Sequence, residues 1–262
     1  MDAIRVLRDG AVLTLTIDRP ERLNALDVPS MLALRQRLQE ASTDRAVRAV
    51  LLTGAGPAFC AGGDVAVMDE HRARGELPAL FHALTAEMEM GIREILGMPK
   101  PVVAALPGVA AGGGLSLALA ADWRIASESA VLVPAFPTLG AVPDGGLSYF
   151  LPHYLGIGLA QELLFTSARV SAARARELGL VHEVVPASDL GRRAAERVRE
   201  LAEGPTFAYG GTKRLLHAAF GQGAEAQLAL ERRLAVEAAG RGELAEGVRA
   251  FREKRRPKFP PP

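Results

Sequence analysis

Cysteine is nearly absent from this sequence: Cys60 is the single one in 262 residues. An internal disulfide framework and a cysteine-only metal cluster are therefore excluded, and a reducing, cytoplasmic setting is expected. An excess of one charge is lacking too. There are 31 basic and 30 acidic residues, a net of +1, so the whole-molecule field gives no reason to expect nucleic acid as a partner. Basic residues thicken only near the end, in Arg249, Arg252, Lys254, Arg255, Arg256 and Lys258, which reads first as a solvated helix end. The opening Met1-Asp2-Ala3-Ile4-Arg5 lacks the basic-then-apolar order of a secretory leader. The long apolar run at 102–121 is broken by Pro107 and four glycines and is rich in alanine. It reads as a strand, a glycine loop and a buried helix rather than a membrane span. His82, His153, His182 and His217 are widely spaced, with no metal-ligand interval among them. No metal is expected.

What remains is 49% hydrophobic and 23% charged residues, the balance of a soluble globular chain long enough for one large domain and a smaller appendage, or for two modest domains. Leu13, Leu15 and Ile17 alternate with Thr14 and Thr16, the period of a half-buried strand. Asp27 is placed to cap a helix with Pro29 in its first turn, and Met31, Leu34, Leu38 and Ala41 then share a face. Residues 47–53 and 100–106 are short buried strands, each followed by glycines and then helix. The stretch from 65 to 97 is helical or irregular. Two strand–glycine-loop–helix units predict an α/β fold with parallel strands and helical crossovers. Beyond Pro186 the chain predicts helices over 188–202, 205–220, 224–239 and 242–255. Leu244, Val248 and Phe251 mark the apolar face of the last.

The glycine loops admit three readings. Gly54-Ala55-Gly56-Pro57-Ala58-Phe59 follows a strand as a dinucleotide fingerprint would, but Phe59 stands where its third glycine belongs, and no Gly-Lys-Ser/Thr follows for a P-loop. Gly114-Leu115-Ser116-Leu117-Ala118 comes within one residue of a nucleophile elbow, with Asp144 and then His153 or His182 downstream. Third, Phe59-Cys60-Ala61-Gly62-Gly63-Asp64 and Ala111-Gly112-Gly113-Gly114 both turn from strand into helix. Orphan N–H groups at a helix start point outward, and glycine lets a ligand come close. Two such donors on one carbonyl oxygen would stabilise an enolate by about 3–4 kcal/mol each. The loops alone leave this open against simple close packing.

Further motifs are Arg19-Pro20-Glu21-Arg22-Leu23-Asn24-Ala25-Leu26, Lys100-Pro101-Val102-Val103-Ala104-Ala105-Leu106-Pro107-Gly108, Leu139-Gly140-Ala141-Val142-Pro143-Asp144-Gly145-Gly146, Ala175-Arg176-Glu177-Leu178-Gly179-Leu180-Val181, and 246–255. Together with the two donor loops, and in this order, they resemble the enoyl-CoA hydratase/isomerase (crotonase) superfamily over nearly the whole chain. The resemblance implies a spiral of ββα units over residues 1–195, carrying CoA binding and catalysis. It also implies a helical C-terminal trimerisation segment over 196–262. The oxyanion donors would be the N–H groups of Gly63 and Gly113. The adenine end of CoA would meet Arg22, Leu23, Ala25 and the main chain at Ala61, while Phe251 and Lys254 would reach the CoA of a neighbouring subunit. The partner implied is an acyl-CoA or enoyl-CoA substrate, with no separate cofactor, in a homotrimer or dimer of trimers.

Hydration of an enoyl thioester needs one group to deprotonate water and another to protonate the α-carbon. The family's hydratases carry one glutamate three residues after the oxyanion glycine and another four before the Leu-Gly glycine. Here those positions hold Ser116 and Phe136. Asp144 stands where certain isomerases of the superfamily carry a catalytic aspartate, although Pro-Asp-Gly-Gly is also a good turn or helix cap. The expectation is an enoyl-CoA double-bond isomerase with Asp144 as acid/base. Its rivals are a hydratase or lyase with non-standard groups, a non-catalytic CoA-ester binder, and a hydrolase built on Ser116. Asp64 is expected to cap a helix; Asp69, Glu70 and His71 to form a solvated cluster; Tyr149 and Tyr154 to sit in aromatic core.

Overall fold

The computed structural model describes residues 3–260; Met1 and Asp2 of the opening segment, with Pro261 and Pro262, lie outside them. β1 (Ile4–Asp9) and β2 (Val12–Ile17) form an antiparallel hairpin, and α1 (Val28–Thr43) follows. The Asp27 carboxylate accepts from Ser30 N–H while the Ser30 hydroxyl engages the Asp27 N–H, a reciprocal cap. Met31, Leu34, Leu38 and Ala41 are buried along one stripe, as their spacing predicts.

A repeating excursion follows. β3 (Ala49–Gly54) is succeeded by the short β4 (Ala58–Cys60) and then by α2 (Val65–Ala73) and α3 (Leu77–Gly97). β5 (Val102–Leu106), β6 (Val109–Ala111) and α4 (Gly113–Ala120) repeat the pattern, as do β7 (Trp123–Ser127), β8 (Val131–Val133), α5 (Leu147–Leu155) and α6 (Ile157–Thr166). β9 (Val170–Ser171), α7 (Ala172–Glu177), β10 (Glu183–Val185) and α8 (Leu190–Ala202) close the series, and α9 (Thr206–Ala218), α10 (Ala224–Ala239) and α11 (Gly242–Arg252) end the described chain. Six strands join a sheet ordered β1-β2-β3-β5-β7-β10, parallel from β2 onward, and four short ones a second sheet ordered β4-β6-β8-β9. Each turn of the chain thus adds one strand to each sheet.

Both faces of the larger sheet are covered, which is why its strands read as continuous apolar runs. Val50, Leu52, Val102, Ala104 and Leu106 point into the main core with α1, α3 and α4. Ala49, Leu51, Val103 and Ala105 pack on the other side against Leu190, Ala194, Val198 and Ala202 of α8. The apolar run at 102–121 resolves into β5, β6 and α4, and no helix among the described residues is long and apolar enough to cross a membrane. Helix α4 is buried along its whole length. Its small residues permit that: a Cβ on Gly114 would lie 2.2 Å from the Cys60 carbonyl oxygen, so the helix start sits directly on β4.

Candidate active site

Each donor loop is a three-residue strand running into a helix. In the first, Asp64 caps α2, accepting from Ala66 N–H (3.1 Å) and Val67 N–H (3.4 Å), and pairs with Arg22 (2.9 Å) and Arg19 (3.2 Å). The loop is stitched to residues 23–26. Ala61 N–H donates to the Leu23 carbonyl (3.0 Å), Leu26 N–H to that of Gly62 (2.7 Å), and Asp64 N–H to that of Leu26 (2.9 Å). Leu23 and Asn24 take left-handed φ of +51° and +59°, a conformation that costs non-glycine residues about 1–3 kcal/mol. The buried Asn24 amide holds it by donating to the carbonyls of Ala55 (2.9 Å) and Ala58 (2.7 Å). Among the described residues the Gly63 N–H has no acceptor.

In the second loop, Gly112 N–H donates to Val133 O (3.0 Å), and Gly113 opens α4 with its own N–H free of any acceptor among the described residues. The two loops touch: a Cβ on Gly62 would sit 3.4 Å from the Gly113 nitrogen. Gly63 and Gly113 line one chamber of about 80 Å³ with Leu26, Met68, Leu84, Met88 and Phe136. The chamber opens past Asp144 into a groove of about 710 Å³ along Asp69, Leu77, Phe81 and Val142.

Among the described residues, Asp144 is the single titratable one lining the chamber. Its Oδ1 lies 3.8 Å from where a Cβ on Gly113 would be, and neither carboxylate oxygen has a hydrogen bond or ion pair among the described residues. Burial without a compensating partner pushes its pKa up to about 6. It is not a helix cap: Gly146 occupies the N-cap of α5, and no side chain bonds there.

The nucleophile-elbow reading fails on geometry. Ser116 is wholly buried, its hydroxyl donates to the Asp144 main-chain carbonyl (2.8 Å), and no histidine lines the chamber. His153, His182 and His217 line a separate cavity of about 410 Å³ between β7, α5 and α9. His182 accepts from Arg124 N–H through Nδ1, and burial lowers its pKa to about 4. Tyr149 and Tyr154, expected in the core, instead rim that second cavity half exposed. The reason is that α5 turns Leu147, Phe150 and Leu151 inward. Cys60 is inert: burial pushes its thiol up to about 12.

The enoyl-CoA hydratase/isomerase family model matches residues 8–261. The chain is 39% identical to a protein of Rhodobacter capsulatus called "Probable enoyl-CoA hydratase", over 98% of this chain and 97% of that one. It is 38% identical to the 1,2-epoxyphenylacetyl-CoA isomerase of Escherichia coli, over 96% and 95%. A crystal structure described as an enoyl-CoA hydratase from Polaromonas sp. JS666 superposes with a TM-score of 0.93 at 36% identity, covering 98% of this chain and 99% of the other. The chain belongs to the enoyl-CoA hydratase/isomerase family.

Ser116 and Phe136, where the resemblance would put the hydratase glutamates, are both buried, and Phe136 lines the chamber. Of the residues expected around CoA, Ala61 lines the chamber, Ala25 is buried, Leu23 is exposed, and Arg22 reaches Asp64. Phe251 and Lys254 lie at the exposed end of α11, away from the chamber's lining. Asp69 pairs with Arg72 at the groove, and the His71 ring engages the Val67 carbonyl, leaving the 69–71 cluster on the surface. Sequence reasoning missed Met68, Leu84 and Met88 as lining residues. The apolar recurrence Leu80, Leu84, Met88, Ile92 along α3 was the available signal.

Proposed function

We propose that this protein is an enoyl-CoA double-bond isomerase in which Asp144 carries the proton and the amides of Gly63 and Gly113 hold the thioester oxygen. The observation that supports this most is the count of titratable groups in the chamber: one. Hydration requires two proton-handling groups; a shift of a double bond requires one. The Asp144 carboxylate takes the α-proton of a β,γ-enoyl thioester, and the C–H electron pair moves into the C1–Cα bond while the carbonyl oxygen becomes the oxyanion. As the carbonyl re-forms, the dienolate takes the proton back at the γ-carbon, leaving an α,β-double bond. Charge collects on the oxygen during the step, where two pre-positioned N–H donors stabilise it. The carboxyl's raised pKa makes it a stronger base near neutrality than a solvated aspartate. The E. coli relative is named an isomerase of a CoA thioester, 1,2-epoxyphenylacetyl-CoA, which supports an isomerase but not the double-bond shift itself.

The same reading assigns the CoA moiety of the substrate to Arg22, Leu23, Ala25 and Ala61, and to Phe251 and Lys254 of a neighbouring subunit in a homotrimer or dimer of trimers. It requires no resident cofactor, and a cytoplasmic setting is the one its single cysteine suggests. The test is direct. A 3-enoyl-CoA mixed with the protein gains conjugated-thioester absorbance, and Asp144→Asn removes that gain while CoA-ester binding persists. Full turnover by the variant would take Asp144 out of the mechanism. Efficient addition of water to crotonyl-CoA would favour the hydratase, and binding without any turnover would favour a non-catalytic relative.

A further inference from the structure

The departure at position 116 and the aspartate at 144 are connected in space. Ser116 lies in the first turn of α4 and is wholly buried. A serine inside a helix ordinarily bonds back to the preceding turn, and the Gly112 carbonyl is in reach at 3.4 Å. The shorter bond, at 2.8 Å, goes instead across the chain to the main-chain carbonyl of Asp144. The other hydrogen bond to Asp144 is local, from Leu147 N–H at 3.2 Å in the first turn of α5. The carboxylate itself has no partner among the described residues. Its location is therefore set through the backbone, and among the described residues Ser116 supplies the one hydrogen bond that ties that backbone to the helix carrying Gly113.

The loop is also close to Ser116 one residue further on. Gly145 has φ +57°, and a Cβ on it would stand 2.8 Å from Ser116 Cβ and 3.1 Å from its Oγ. The 144–146 loop rests directly on the side of α4. A longer side chain at 116 would have to enter the space this loop occupies.

We propose that Ser116 is a positioning residue: its hydroxyl pins the main chain of Asp144 and thereby holds the carboxylate over the Gly113 end of the chamber. The inference rests on the isomerase reading of Asp144. A small hydroxyl at 116 and a working acid at 144 are on this account a single arrangement, in which one side chain gives up proton transfer and becomes the strut for another.

The test compares Ser116→Ala, which removes the donor from a helix that favours alanine, and Ser116→Cys, whose thiol is a weaker donor. Readouts are kcat, KM, the acid limb of the pH profile for 3-enoyl-CoA isomerisation, and the melting temperature. Release of the loop leaves KM within about twofold and lowers kcat by on the order of ten- to a hundredfold in the alanine variant, with the cysteine variant between. It also moves the acid limb to lower pH, because a freed carboxylate regains water. A kcat within twofold of the parent with an unmoved limb in Ser116→Ala overturns the proposal. So does a joint collapse of kcat, KM and melting temperature in both variants without a limb shift, which marks a packing role alone. If Asp144→Asn itself turns over substrate at the parent rate, it is the isomerase reading that fails.

Discussion

Asp144 has opposite consequences for activity and for stability. As the base it must be ionised, so kcat/KM should rise with pH and level off above about 6. For folding the sign reverses. The folded-state pKa lies above the ordinary 3.8, so the native protein binds this proton more tightly than the unfolded chain, and stability falls as pH rises between those values. Asp144→Asn should therefore be more stable than the parent at pH 8 by about 1–2 kcal/mol, the two-unit shift discounted for partial exposure. The gain should shrink as the pH falls towards 4, as paired thermal melts would show. At this scale the motif around Asp144 was legible in sequence, and so was the lack of a carboxylate at positions 116 and 136. The burial and partnerless state of its carboxylate were not, because they depend on residues from α3, α4 and the 135–141 segment meeting in space.

Strand and helix boundaries followed the sequence where periodicity had room to repeat. α1 keeps its predicted stripe, and α10 its predicted span. β4 and β6 went unseen inside the glycine loops, since three residues carry no period and their order comes from pairing with each other. These junctions make a sharp prediction about glycine. A Cβ on Gly114 would meet the Cys60 main-chain oxygen at 2.2 Å, and backbone cannot swing aside; one on Gly63 would clash with the flexible terminal methyl of Met68, at 2.4 Å, and reach a Leu84 methyl at an ordinary 3.6 Å. Urea unfolding should put Gly114→Ala more than about 3 kcal/mol below the parent and Gly63→Ala within about 1 kcal/mol of it. Similar losses for both would mean that Met68 is as immovable as the main chain.

Across the whole molecule the orientation of α11 could not be read from sequence. Leu244, Val248 and Phe251 share a face as expected, yet that face points outward, with Phe251 85% exposed. Two carboxylates point inward instead and are satisfied there. Glu243 accepts from Phe207 N–H and Ala208 N–H at the start of α9, and Glu246 is gripped by Arg255, the Lys258 N–H and Arg249, which hold its carboxyl well below the usual range. An amphipathic pattern reveals a face but not what covers it. On the proposed assembly a second copy covers it, and Val248→Glu should shift the sedimentation profile towards monomer while the fold persists. An unchanged profile would argue that these side chains lie free.

Three hydrogen bonds tie residues 23–26 to residues 61–64. Whatever tugs on the stretch after Arg22 tugs equally on the amide of Gly63. On the proposed reading, a substrate whose CoA end grips the first segment also bears on the amide that steadies its thioester oxygen.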